Sequence, residues 1–187
     1  MANKIKLQFK QQAYQADATM AVVDCFDGQP LKTNKFTLER SKQIIIKAKQ
    51  VAAGGIQASA FDSDIMEDIG YRNSKVQITE SQVLKNIKNV QQSNDILEST
   101  QIERPAGFKN GFNLTIEMET GTGKTYAYIR TMYELQKKYG WSKFIVIVPS
   151  IAIREGVYKT FEVTQDHFQE IYGHKVQPFI YNSGRPQ

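Results

Sequence analysis

Gly121, Thr122, Gly123, Lys124 and Thr125 stand together in the run I-E-M-E-T-G-T-G-K-T-Y over residues 116–126. Their types define one kind of chemistry. Glycines leave successive backbone N–H groups uncovered on a turn, where several can point at one phosphate, and the positive end of a following helix adds to the attraction. A lysine at position 124 can reach β- and γ-phosphate oxygens, and a hydroxyl at position 125 can sit on Mg²⁺. The plainer reading is a glycine turn that caps a helix. By composition alone, G-x-G-K-[ST] arises in roughly one chain in a hundred of this length, so the elements on either side decide its meaning.

Those elements have the required pattern. Phe112, Leu114, Ile116 and Met118 alternate as a strand does. Met118 occupies the slot where the commonest form of such a loop has its first glycine, and it closes that strand and can pack into a core. A helix is expected from about 124 to 138, with Tyr128, Ile129, Met132 and Leu135 inward. Lys137 and Lys138 suit its negative end, and Gly140 its cap. Residues 144–148 form a near-continuous apolar run, as in a strand buried on both faces. The unit reads as β-α-β, with parallel strands and a right-handed crossover. Ser150 can cap a helix to about 161, Thr164 another to about 171, and residues 176–181 resemble a third strand before a terminal loop.

Upstream, Ile5, Leu7 and Phe9 alternate as a short strand. Tyr14, Ala18, Ala21, Val22 and Cys25 have helical spacing, and Gly28-Gln29-Pro30 ends that run. Residues 31–51 are locally basic, with Lys32, Lys35, Arg40, Lys42, Lys47 and Lys49 opposed only by Glu39. Gly54-Gly55 reads as loop. Thr79 to Gln82 matches a capping box, predicting a helix over about 80–92 with Val83, Leu84, Ile87 and Val90 on one face.

Composition narrows the class. In 187 residues, 41% are hydrophobic and 23% charged, which excludes a wholly disordered chain. A net charge of +5 permits a polyanionic partner without demanding one. The single cysteine, Cys25, forms no internal disulfide, and the start of the chain has no secretory pattern, so a reducing cytoplasm is expected. No apolar run approaches the roughly 20 residues of a membrane helix. The acidic cluster Asp62, Asp64, Glu67 and Asp68 lacks the glycine and terminal glutamate of a calcium loop and reads as solvated. His167 and His174 have no Cys/His ligand set. Val22-Val23-Asp24 has helical spacing and is no metal-holding strand end. Cys25 and the tyrosines 126, 128 and 133 read as packing residues.

The motifs resemble a known family. M-E-T-G-T-G-K-T, with the flanking E-M-E-T-G-T-G-K-T-Y-x-Y-x-R-T-x-Y-E-L over 117–135 and K-K-Y-G-W-x-K-F-I-V-I-V-P-S-I-A-I-R-E-G-V over 137–157, is similar to motifs I and Ia of the Res subunits of type III restriction-modification enzymes. These are a branch of the superfamily 2 helicases and translocases. Y-Q-A-D-A at 14–18, V-V-D-C-F-D-G-Q-P at 22–30 and V-L-K-N-I-K-N-V-Q-Q at 83–92 extend the resemblance over most of the chain.

That resemblance implies an α/β fold: a partial RecA-like P-loop NTPase domain, a parallel sheet with flanking helices, incomplete at its C-terminal end. It divides the chain into residues 1–30 with a strand and a Q-motif-like helix, an insertion or small helical region over 31–110, and the first part of the ATPase domain over 111–187. Gly121, Thr122, Gly123, Lys124 and Thr125 would then hold ATP with Mg²⁺, the metal reached by Thr125, and Gln15 would read the adenine edge. Ser150 and Arg154 would contact a DNA phosphate. Double-stranded DNA and a Mod methyltransferase subunit are the implied partners.

The metal-holding carboxylates, second RecA-like domain and nuclease of such enzymes would follow later, leaving no complete catalytic set here. On this expectation the 187 residues bind ATP weakly and neither hydrolyse it nor cut DNA. Two other readings stay open: a non-catalytic nucleotide-binding or interaction module from a truncated gene, and another superfamily 2 DNA or RNA helicase.

Overall fold

The computed structural model describes residues 9–32, 73–107 and 111–181. The expected strand residues Ile5 and Leu7, most of the basic stretch, Gly54-Gly55, the acidic cluster and the terminal loop lie outside the described residues.

Four helices carry the described part: α1 (Ala13–Asp24), α2 (Glu80–Ser93), α3 (Lys124–Tyr139) and α4 (Ile151–Tyr172). They pack in the spatial order α2, α1, α3, α4, because α1 touches both α2 and α3 while α3 also touches α4. Helix α3 is therefore covered from two sides. Its Tyr126, Ile129 and Tyr133 meet Phe161 and Phe168 of α4, and its Leu135 and Tyr139 meet Val23 of α1 together with Trp141. Ile129 and Phe168 are essentially sealed from solvent, and burying each such side chain contributes about 1.5–3 kcal/mol. The tyrosines expected to pack do so: Tyr133 stacks on both Phe168 and Tyr172, with ring centroids 4.9 and 4.8 Å apart.

Polar side chains add to the apolar contacts by which α1 meets its neighbours. Asn86, buried in α2, donates to the carbonyls of Cys25 (3.2 Å) and Asp27 (2.9 Å), which ties α2 to the turn that ends α1. Thr79 caps α2 by accepting from the Gln82 N–H at 3.2 Å. The Gln82 side-chain amide nitrogen runs on along the helix, donating to Asn86 Oδ1 at 2.8 Å. Buried Gln29 holds residues 75–77, donating to the Lys75 carbonyl and accepting from the Gln77 N–H.

The expected parallel sheet is not there. Among the described residues there is no strand; residues 111–119, 141–148 and 175–181 run without any ladder. A strand needs a neighbour whose carbonyls take its N–H groups in a ladder, and at three positions here a side chain takes the N–H instead. The N–H groups of Ser142 and Lys143 both donate to Asn73 Oδ1 at 2.9 Å, and that of Val176 donates to the Tyr133 hydroxyl at 3.1 Å. Ile145 and Ile147 are each 90% exposed, the opposite of a doubly buried strand. Alternation showed that these segments have strand-like composition, but it could not supply the partner. The β-α-β unit, its crossover and the RecA-like α/β assignment fall together. A second correction concerns α4, which is one helix and not two: Thr164 is buried and donates to the Thr160 carbonyl at 2.7 Å, so its hydroxyl is satisfied inside the helix and caps nothing.

Candidate functional site

The glycine loop leads into α3 as the spacing predicts. Thr122 closes a turn on Glu119, its N–H and hydroxyl reaching that carbonyl at 3.4 and 2.6 Å. Gly121 (φ +84°) and Gly123 (φ +87°) both adopt the left-handed backbone conformation that favours glycine. Gly123 is the N-cap of α3, and no side chain caps that end. The first N–H groups of a helix have no partner within it, so this terminus is chemically suited to an anion. Lys124, exposed, turns its ammonium back onto the Met118 carbonyl and so spans the loop. Thr125, half-buried, follows in the first turn.

Helix α1 holds the loop from the other side. Gln15 Nε2 donates to the Thr122 carbonyl at 2.8 Å across 107 residues of sequence. One turn later the Thr19 hydroxyl lies 2.9 Å from the Gln15 carbonyl and 3.3 Å from the Ala127 carbonyl of α3. Gln15 and Thr19, four apart, thus share the face of α1 that meets α3. The approach is close: a Cβ on Gly123 would lie 2.5 Å from Gln15 Nε2.

The structure therefore brings Gln15 and Gly121 through Thr125 to one end of α3. Ser150 and Arg154 lie at the start of α4, where each makes local contacts. Ser150 accepts from the Ile153 N–H at 3.3 Å, as an N-cap does. Arg154 donates to its neighbour Glu155 from Nε (3.1 Å) and Nη2 (2.8 Å).

Three features escaped sequence reasoning. Thr19 could have been found from its spacing to Gln15. Tyr126, beside Thr125, is 2.9 Å from His167 Nε2 through its hydroxyl; nothing local signals a pair 41 residues apart. Burial pulls the His167 pKa below its usual value, Glu170 opposes this and Arg130 adds to it. The third is the α1–α2 groove, of about 550 Å³, lined by Asp17, Asp24, Asp27, Asn86 and Asn89 among others. Lys138 answers two of those carboxylates, 3.0 Å from Asp24 and 3.2 Å from Asp27. Among the described residues no group of three or more His, Cys, Asp or Glu side chains could hold a metal. Cys25 is buried with its thiol pushed up to about 11, by burial first and Asp24 second, which suits a core residue and not a nucleophile.

Comparison with known proteins defines the class. The family model described as "Type III restriction enzyme, res subunit" matches residues 8–182, nearly the whole chain, and the protein belongs to that family. Among its relatives are the Res subunits of the type III restriction-modification enzymes EcoPI of Escherichia phage P1, 34% identical over 118 residues, and EcoP15I of Escherichia coli, 35% identical over 113 residues. Each of these alignments takes in 59% of this chain and 11% of the relative. The StyLTI Res subunit of Salmonella typhimurium is 50% identical over 62 residues, 32% of this chain and 6% of the relative. The chain thus aligns with only about a tenth of the first two relatives. No helix among the described residues is long and apolar enough to cross a membrane.

Proposed function

We propose that Gly121, Thr122, Gly123, Lys124 and Thr125 bind ATP as its Mg²⁺ complex, with Gln15 holding the loop in place for it. The observation that carries this reading is the uncapped start of α3 between two left-handed glycines, braced by the Gln15 bond to the Thr122 carbonyl. The residues present fit the group. The loop offers backbone N–H groups and a lysine for phosphate oxygens, and one hydroxyl, from Thr125, for a cation that arrives with the nucleotide. Lys124 would exchange the Met118 carbonyl for a phosphate oxygen, a stronger, charge-assisted partner. The Gln15 amide, already engaged with Thr122, supports the loop and presents its remaining oxygen to a base.

In the whole protein this site would serve ATP-driven work on double-stranded DNA, ending in endonucleolytic cleavage in concert with a Mod methyltransferase subunit. Ser150 and Arg154 would be phosphate contacts to the DNA, and the setting would be a reducing cytoplasm. Titration of a fluorescent ATP analogue with Mg²⁺ against wild type and Lys124→Ala tests the loop. A loss of affinity of about tenfold or more is expected, since bonds to charged groups are worth about 1.5–3 kcal/mol. Equal affinities would remove the assigned role.

A further inference from the structure

We propose that Tyr128 is a positioning residue for the Thr125 hydroxyl, accepting a hydrogen bond from it when the threonine oxygen turns a lone pair to a divalent cation. The proposal rests on the reading of Gly121 to Thr125 as a phosphate loop. Tyr128 lies one turn after Thr125, and helical side chains lean toward the N-terminus, so its ring reaches back over the turn that holds the threonine. The ring packs against the Tyr126, Ile129 and Tyr133 cluster, which fixes its direction. Its hydroxyl oxygen is sealed from solvent and has no hydrogen-bond partner. Buried polar atoms of that kind are uncommon and ask for an explanation. Burial pushes the phenol pKa up, and the Thr125 side chain partly offsets this, which puts the two groups within each other's reach.

The chemistry gives that arrangement a use. A threonine hydroxyl that donates a lone pair to a cation must aim its proton elsewhere, and the proton becomes a better donor as the cation polarises the oxygen. An acceptor beside it then selects the rotamer that faces the metal. Tyr128 supplies such an acceptor from within the core, where water does not compete for it. In the empty protein the same phenol makes no hydrogen bond of full geometry. It therefore costs stability in the empty protein and regains it in the loaded one.

The test uses Tyr128→Phe in the 187-residue chain, read by thermal melting and by titration with a fluorescent ATP analogue, once with Mg²⁺ and once with EDTA. The variant should melt no lower than wild type, bind equally in EDTA, and bind about two- to tenfold more weakly with Mg²⁺, the range set by one neutral hydrogen bond. On a Thr125→Val background, Tyr128→Phe should change nothing further. A wild-type affinity in Mg²⁺, or an equal loss in EDTA, would overturn the proposal. Lys124→Ala separates the two levels. If it weakens binding while Tyr128→Phe does not, only the role of Tyr128 fails. If it binds as wild type does, the phosphate-loop reading fails and this proposal with it.

Discussion

Helix α3 is flanked at both ends by a glycine in the same left-handed conformation, Gly123 at φ +87° and Gly140 at φ +79°, yet the two ends are built differently. The C-terminal end is closed. The Gly140 N–H returns to the Gln136 carbonyl at 2.8 Å, the Lys32 N–H meets the Tyr139 carbonyl at 3.4 Å, and the Tyr139 hydroxyl donates to the Val23 carbonyl at 2.9 Å. Trp141 Nε1 adds a bond to the Ser74 carbonyl at 3.0 Å. The N-terminal end has no side-chain cap, and α1 meets it through side chains, the Gln15 amide on the Thr122 carbonyl and the Thr19 hydroxyl 3.3 Å from the Ala127 carbonyl. Backbone packed on backbone serves stability. An end held only by side chains leaves the first helical N–H groups without a partner in the helix.

Substitutions at the two glycines put that contrast to its hardest test. A Cβ on Gly140 would run into the Lys32 carbonyl, a backbone atom that cannot swing aside. Left-handed strain of about 1–2 kcal/mol and an overpacking cost of about 1–3 kcal/mol predict that Gly140→Ala lowers unfolding free energy by about 3 kcal/mol in urea titrations. At Gly123 the Cβ meets the far end of Gln15, which can rotate away. Gly123→Ala should therefore cost only about 1.5 kcal/mol while reducing Mg²⁺-ATP affinity more than Gly140→Ala does. If the two variants were equally destabilised, the ends would not differ as described. Tyr139→Phe probes the closed end with no change of shape; loss of its bond to Val23 should cost about 1 kcal/mol, with nucleotide affinity unchanged.

The sequence made this asymmetry partly legible. Glycines, lysines at the last turn and Thr79 before α2 are local signals, and the helices begin within a residue or so of where those signals put them. Gln15 and the loop each stand out in the sequence, but the bond between them across 107 residues does not, because amide-to-carbonyl bonds leave no periodicity. The sheet was misread for a related reason. Residues 144–148 carry the composition of a buried strand, and composition says what a segment can pair with, never that the pair forms. Asn73, whose amide takes the N–H groups at 142 and 143, looks in the sequence like any loop asparagine. Asn86 likewise sits on a face read as apolar, and only the structure shows it tying two helices together.

Cys25 lies just beyond α1, on the closed side, and gives the comparison a reading in pH. Its folded pKa, about 11, stands above the ordinary 9.0 because burial and then Asp24 disfavour the thiolate. A raised pKa means that the folded chain keeps its proton after the unfolded chain has lost it. The contribution is therefore fully present below pH 9.0 and lost as pH rises through about 11. At pH 8 the thiol should react with a disulfide reagent only after denaturant is added. Rapid labelling of the native chain would show that the α1 end is open.

The smallest stability effect belongs to the start of α4, which offers a second helix N-terminus to set against that of α3. Here Ser150 supplies the cap, and Arg154 pairs with adjacent Glu155, the side chains 40% and 56% exposed. Exposed pairs contribute about 0–1 kcal/mol, and a cation near a helix N-terminus is opposed by the helix dipole. Arg154→Ala should thus change unfolding free energy by less than about 0.5 kcal/mol. If Arg154 instead serves a DNA phosphate, its worth appears only in binding. The slope of log affinity against log salt for duplex DNA should shrink by about one unit, as one phosphate contact is lost. An unchanged slope with unchanged stability would leave Arg154 as a surface charge, and the N-terminus of α3 as the end with the stronger claim to an anion.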